Sequence, residues 1–228
     1  MSKYLIILSF LTIISAKEFY NYKHYNLSEF LPFTKNKSLF LVDTRDYSKI
    51  LKGIIPNSIA IPLKIRYNLT ITSLIEKNEK IIIIAEKRKH KNSLQLTEKL
   101  GYKNILGYFF IEDWKDDLFK INEIKLNEKS IKNIKKEYEL IDIREEDEQK
   151  KNGNVKNTIN IPLTTIKNNL NKINKSKTNY FMDKRGYKSV TLISFLIREG
   201  YDKDKLFNVK GGFYKINFYF KKVKREDL

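Results

Sequence analysis

The sequence predicts an α/β protein built as two similar domains, each a mainly parallel sheet flanked by helices, and three observations predict it. One long segment occurs twice: Asp43 and Arg45 are matched by Asp142 and Arg144 at 99 residues on, Ile61-Pro62-Leu63 by Ile161-Pro162-Leu163 at 100, and Gly101-Tyr102 by Gly200-Tyr201 at 99. That period is too long for a solenoid unit and suits a small globular domain. Short apolar runs alternate with charged, helix-compatible stretches, the pattern of an open α/β sandwich. One run, residues 81–84, is four consecutive isoleucines, which reads as a strand buried on both faces of a parallel sheet.

In chain order, residues 39–43 and 140–143 read as the first strand of each unit, 58–61 and 158–161 as the second, and 81–84 and 179–182 as the third. Amphipathic stretches at 93–100 and 189–198 follow, each running into a Gly suited to a helix C-terminus. Residues 115–136 are rich in Lys, Asn, Asp and Glu and lack Pro and Gly, and are expected to form a connector with some helix. The units are therefore expected at 25–126 and 127–228. Residues 1–16 hold a short apolar run after Lys3, with Ser15 and Ala16 behind it. They read either as a signal peptide or as a degraded N-terminal segment, and the compartment stays open between cytoplasm and periplasm or secretion.

Lys and Arg number 45 against 27 Asp and Glu, a net charge of +18. Such a balance suggests an anionic partner. The abundance of Lys, Asn and Ile points instead to an AT-rich genome, and no helix-turn-helix, zinc finger or aromatic RNA-binding signature supports a nucleic-acid function. There is no Cys, so the chain can form no disulfide, thiolate metal site or persulfide of its own. His24 and His90 are the only histidines and read as solvated surface residues, so no metal site is expected and no cofactor is implied.

The order "LVDTR", then "GIIPNSIAIPL", then a buried strand with a loop, a helix and Gly-Tyr resembles the rhodanese family in both halves. In that family the reactive loop reads Cys-x-x-Gly-x-Arg-Ser, and the domain closes with Gly-Gly-x-x-x-Trp. The second half keeps the frame, with Asp183 where the family has Cys, then Lys184, Arg185, Gly186, Tyr187, Lys188 and Ser189, and later Gly211-Gly212 with Ile216 where the family has Trp. The first half has no Gly in the loop and puts Ala85 or Glu86 at the Cys position, while Trp114 keeps the closing aromatic. The first half also resembles the tandem rhodanese tail of metallo-β-lactamase-fold proteins related to persulfide dioxygenases, which shares an Ile-Ala-Glu loop without Cys. No His-x-His-x-Asp-His run accompanies it here, so a remnant or a separately encoded tail is expected.

What the resemblance implies is a thiolate that attacks the outer sulfur of a donor, holds it as a persulfide and passes it on. A carboxylate oxygen is hard and weakly nucleophilic, so no catalytic residue remains and sulfur transfer by this route is expected to be lost. Two readings of Asp183 stay open: a built-in anion that imitates the thiolate in the loop, or drift after the chemistry was no longer needed. Either leaves an electropositive rim of Lys184, Arg185, Lys188 and Ser189 for a small anion such as sulfate or thiosulfate. Asp43, Arg45, Asp142 and Arg144 are expected to be structural, the Asp capping backbone N–H groups and the Arg tying loops. Pro62 and Pro162 read as strand-exit residues, residues 213–220 as packing, and Lys215, Lys221, Lys222, Lys224 and Arg225 as a basic tail. The function expected is a non-catalytic module that binds a partner protein or a small sulfur anion. The alternatives are a sulfurtransferase-type component working with a separate catalytic chain, and a basic nucleic-acid-binding protein.

Overall fold

The computed structural model describes residues 22–126 and 138–216. The expectations for 1–16, for the connector over 127–136 and for the tail beyond 216 lie outside the described residues. The first half runs β1 (Lys23–His24), α1 (Leu27–Phe30), β2 (Phe40–Asp43), α2 (Tyr47–Ile50), β3 (Ser58–Ala60), α3 (Tyr67–Leu74), β4 (Ile81–Ala85), α4 (His90–Lys99) and β5 (Ile105–Phe110). The second runs β6 (Glu123–Ile124), β7 (Tyr138–Asp142), α5 (Glu146–Asn152), β8 (Ile159–Asn160), a 3-10 helix (Leu163–Lys172) in the place of α3, β9 (Thr178–Met182), α6 (Lys188–Arg198) and β10 (Leu206–Val209).

The result is two five-stranded sheets flanked by helices, with orders β1-β5-β4-β2-β3 and β6-β10-β9-β7-β8. These are one order repeated, and every pairing within them is parallel. Parallel neighbours need long crossovers, which is why β2, β3, β4, β7, β8 and β9 are each followed by a helix or 3-10 segment. Central β4 has all five residues buried. Each of its isoleucines contributes roughly 1.5–3 kcal/mol relative to an exposed position.

The structure moves three expectations. Strand β1 lies before residue 25 and pairs with β5 through Lys23 and Gly107. Strand β6 lies before the division expected at 126/127, yet its Glu123 pairs with Asn208 of β10. The second sheet thus takes its edge strand from the connector. Over 115–126 the connector carries no helix: Phe119 bridges Ile54 through a pair of backbone hydrogen bonds, and β6 follows. Its charged residues suit an extended edge as well as a helix, and the neighbouring strands decide between them.

The repeat is symmetric in topology and unequal in burial. In α4 only Ser93, Leu94 and Thr97 are buried, whereas nine residues of α6 are. Helix α6 covers β9 and β10 on one side and reaches β3 of the first sheet on the other, where Val190 packs with Ile50, Ile54 and Ala60. The outer edge of β3 is sealed by the same helix, for the Ala60 N–H donates to Ser194 Oγ at 3.0 Å. A free strand edge is a liability, and here a side chain of the other unit satisfies it. Both helices end in a Gly at positive φ, Gly101 at +91° and Gly200 at +85°. In the second, the N–H of Tyr201 reaches Leu196 O and that of Gly200 reaches Ile197 O, a Schellman closure.

At the end of α6, Arg198 donates from Nη2 to the carbonyls of Lys37 and Leu39 at 2.6 and 3.0 Å, and its guanidinium lies 3.8 Å from the Phe40 ring centroid. The two units are tied by this contact, by the Ser194 contact, and by an apolar cluster running from Tyr67, Ile71 and Leu74 to Ile166 and Ile173. Arg198→Met keeps an apolar stem and leaves the two carbonyls without their donor. It is expected to lower stability by about 1–3 kcal/mol. The check is a urea titration in which the midpoint falls and the slope stays unchanged.

Candidate anion-binding loop

Each unit delivers an Asp at the end of its first long strand and clamps it with the Arg two residues on. Asp43 is fully buried, and its carboxylate accepts from the backbone N–H, Nε and Nη2 of Arg45, whose Nη2 also donates to Gly53 O at 2.7 Å. Asp142 and Arg144 repeat this geometry, with Arg144 Nη2 donating to Gly153 O at 3.0 Å. The Arg therefore ties the helical turn after the strand back to the strand end. Arg144 differs from its counterpart in surroundings. It is 1% exposed, its guanidinium carbon lies 3.7 Å from the Phe213 ring centroid, and its Nη1 is buried without a hydrogen-bond partner.

Beside it, Asp183 follows β9 directly and α6 begins five residues later, so the intervening loop wraps the helix N-terminus. One carboxylate oxygen of Asp183 accepts the backbone N–H of Arg185 at 2.7 Å and that of Gly186. The other accepts the N–H of Lys188 and, at 3.3 Å, that of Ser189. Every partner is a donor, so the loop satisfies the acceptor-only, ionised carboxylate. Burial pushes this carboxyl above its ordinary range, against the pull of the Gly186, Arg185 and Lys188 N–H groups and the Lys188 ammonium.

The loop is braced from behind. The Asp183 carbonyl accepts the Phe213 N–H at 2.8 Å and the Lys184 carbonyl that of Tyr214 at 3.1 Å. Gly212, at φ +57°, comes so close that a Cβ there would stand 2.3 Å from Asp183 O and 2.7 Å from the nitrogens of Arg185 and Gly186. The Gly-Gly pair thus lets one backbone press against another. From the first unit, the Tyr47 hydroxyl donates to Gly186 O at 2.7 Å and its ring lies 4.2 Å from that of Tyr187. Burial raises the Tyr47 phenol well above its ordinary value, which keeps it a neutral donor. Ser189 is fully buried, and its hydroxyl donates to Asn208 Oδ1 instead of joining an outer rim.

Sheet register aligns the two loops. Asp43 stands opposite Ile84 as Asp142 stands opposite Met182, so the next residues, Ala85 and Asp183, occupy equivalent positions. The Ala85 methyl can accept no N–H. Glu86, one residue later, ion-pairs with Lys49 and Lys89, and Lys89 reaches Asp46 at 2.7 Å. The Lys49 contact and then Lys89 hold the Glu86 carboxyl below its usual range.

In front of the second loop lies a cavity of about 360 Å³ lined by both units. Lys64 and Arg66 come from the turn after Pro62; Arg144, Lys184, Arg185 and Lys188 come from the second unit, with Glu148, Asp183, Ile65 and Tyr187 completing the wall. Lys64, Arg66 and Glu148 sit in no motif and only tertiary contact reveals them. His24 is exposed, as a surface residue is, and His90 departs from that expectation. His90 is half-buried, and both rings stack near Tyr108, at 5.2 Å for His24 and 4.6 Å for His90. No group of three metal-ligating side chains occurs among the described residues, and none of their helices is long and apolar enough to cross a membrane. At the C-terminal end, Phe213 and Ile216 are buried and Tyr214 is 40% exposed, while 217–228 lie outside the described residues.

Replacing Asp183 with Ala leaves four loop N–H groups without their acceptor. Asp183→Ala is expected to cost about 1–3 kcal/mol of stability by chemical denaturation. Gly212→Ala is expected to cost about as much, because it forces a Cβ into the loop backbone.

No curated protein matches the chain. Among solved structures it is similar to a rhodanese-related protein from Thermoplasma volcanium, at 24% identity over 44% of this chain and 92% of that one, with a TM-score of 0.35. It is similar to SSP1007 from Staphylococcus saprophyticus at 25% identity over 40% of this chain and 88% of that one, with a TM-score of 0.32. A longer alignment, over 90% of this chain and 61% of the other, is to wild-type EanB, at 11% identity and a TM-score of 0.41. Residues 126–217, which include the braced Asp183 loop, match the family model of the rhodanese-like domain.

Proposed function

We propose that the chain is a tandem rhodanese-like protein that performs no cysteine-dependent sulfur transfer and acts as a binding module, with the loop from Asp183 to Ser189 as its centre. The observation that carries this reading is the Asp183 carboxylate, which accepts four backbone N–H groups of the loop. An array of inward N–H groups at a helix start is suited to an anion. Here a side chain of the protein itself fills it. The carboxylate supplies the charge a thiolate would bring without its soft sulfur, so the loop is held folded while the reaction step is removed. Of the two readings of Asp183, these four contacts favour the built-in anion. In the first half the equivalent Ala85 brings neither charge nor nucleophile, and the absence of Cys from the whole sequence leaves no other thiol to take over.

The test is a thiosulfate-to-cyanide assay on the unaltered chain and on Asp183→Cys. In the variant the new thiolate would attack the sulfane sulfur of thiosulfate, the S–S bond would break and sulfite would leave with its electron pair. Cyanide would then take the outer sulfur as thiocyanate and return the thiolate. The unaltered chain is expected to form no thiocyanate above background, and Asp183→Cys to form it. Thiocyanate from the unaltered chain would overturn the reading.

A further inference from the structure

We infer that the cavity between the two units binds a small organic molecule bearing at least two phosphate-like charges, held by side chains and not by loop amides. This deepens the binding-module reading and rests on it. Because the Asp183 oxygens already occupy the N–H groups at the helix start, an incoming anion finds no amide cradle free. What it meets is a wall of six cations, Lys64, Arg66, Arg144, Lys184, Arg185 and Lys188, against the two carboxylates of Glu148 and Asp183. Glu148 stands 3.8 Å from Lys188, and Lys64 reaches Asp46 at 3.3 Å. Among the described residues no carboxylate is ion-paired with Arg66, Lys184 or Arg185. The charge that remains uncompensated is thus contributed by both units, and within a partly enclosed cavity its field is focused.

An independent sign of a ligand is Arg144. It is 1% exposed and its Nη1 has no hydrogen-bond partner, although Nε and Nη2 are fully engaged by Asp142 and Gly153. A buried donor of a charged group left unmet is costly. A guanidinium lining a cavity is well shaped for a phosphate oxygen. Arg66, on the same wall, holds φ +46° and ψ +46°, a left-handed conformation that a non-Gly residue adopts only at a cost. Volume sets the size class. About 360 Å³ exceeds what a single tetrahedral anion fills and falls at the low end of small-molecule sites, which span roughly 300–1,000 Å³. Ile65 and Tyr187 offer apolar surface for the organic part.

The probes are ADP, pyrophosphate and orthophosphate, titrated calorimetrically into the full chain at low ionic strength. ADP is expected to bind at least about tenfold more tightly than orthophosphate. Arg66→Asn combined with Arg185→Ala should weaken ADP about tenfold or more; Asn is chosen because it tolerates the left-handed backbone at position 66. A control pair, Lys99→Ala with Lys103→Ala, removes the same charge outside the cavity and should leave affinity within about twofold. Thermal melts of both double variants confirm folding. Absence of ADP and pyrophosphate binding would overturn the inference. So would equal weakening by the two double variants, which would mean that only the diffuse charge of a basic chain attracts the probe. Thiocyanate production by the unaltered chain would strike the non-catalytic reading alone and leave these titrations to stand or fall separately.

Discussion

The burial of α6 on two sides is the constraint from which the other features follow. A helix packed mainly on its own sheet, as α4 is on β4 and β5, keeps an outer face that tolerates polar residues. Helix α6 must satisfy the second sheet and the edge strand β3 of the first at once, and nine buried residues record this. Its Ser194 completes the hydrogen bonding of a strand in the other unit, and its Arg198 grips the chain ahead of β2. The start of the helix is thereby held at the seam between the units. Whatever the preceding loop binds is consequently exposed to side chains of both.

That position gives the Asp183 carboxylate its significance. A carboxylate desolvated this far is tolerable only because four backbone donors replace the water it has lost. The same donors, freed, would form an open anion site. Occupation by a covalently attached side chain is independent of concentration, and the Gly-Gly segment behind it, with Gly212 pressed against the loop, leaves little room for the loop to relax into another shape. The positive charge left facing the cavity is therefore that of Lys and Arg side chains, Arg144 among them, and not that of the loop amides.

How much of this is legible in the sequence depends on whether a feature is local. The isoleucine run of β4, the matching aromatic strand β9 and the paired Asp-x-Arg segments declare themselves through composition and repetition. The frame around Asp183 is equally plain, since Gly186 and Gly211-Gly212 mark places where backbone must turn or approach backbone. Strands β1 and β6 are two residues each and mostly polar, so they carry no alternation to read, and only pairing with β5 and β10 makes them strands. Over 115–126, the part of the connector that is described, the charged residues carry no alternation either, and no helix forms there. Sequence leaves Ala85 and Glu86 as rival equivalents of Asp183, because the first loop lacks the glycines that would anchor an alignment; sheet register chooses Ala85. Lys64 and Arg66 are invisible among 45 basic residues until the fold brings them to the cavity.

The four hydrogen bonds to Asp183 also bear on how such a chain changes over generations. No single base substitution turns an aspartate codon into a cysteine codon. Every route passes through another residue first, such as glycine, which would leave the loop donors unmet, or tyrosine, whose ring would have to enter a fully occupied turn. The carboxylate therefore acts as a ratchet: it keeps the loop well formed, and by being so well held it places a less stable intermediate between this protein and any descendant with a thiol at this position.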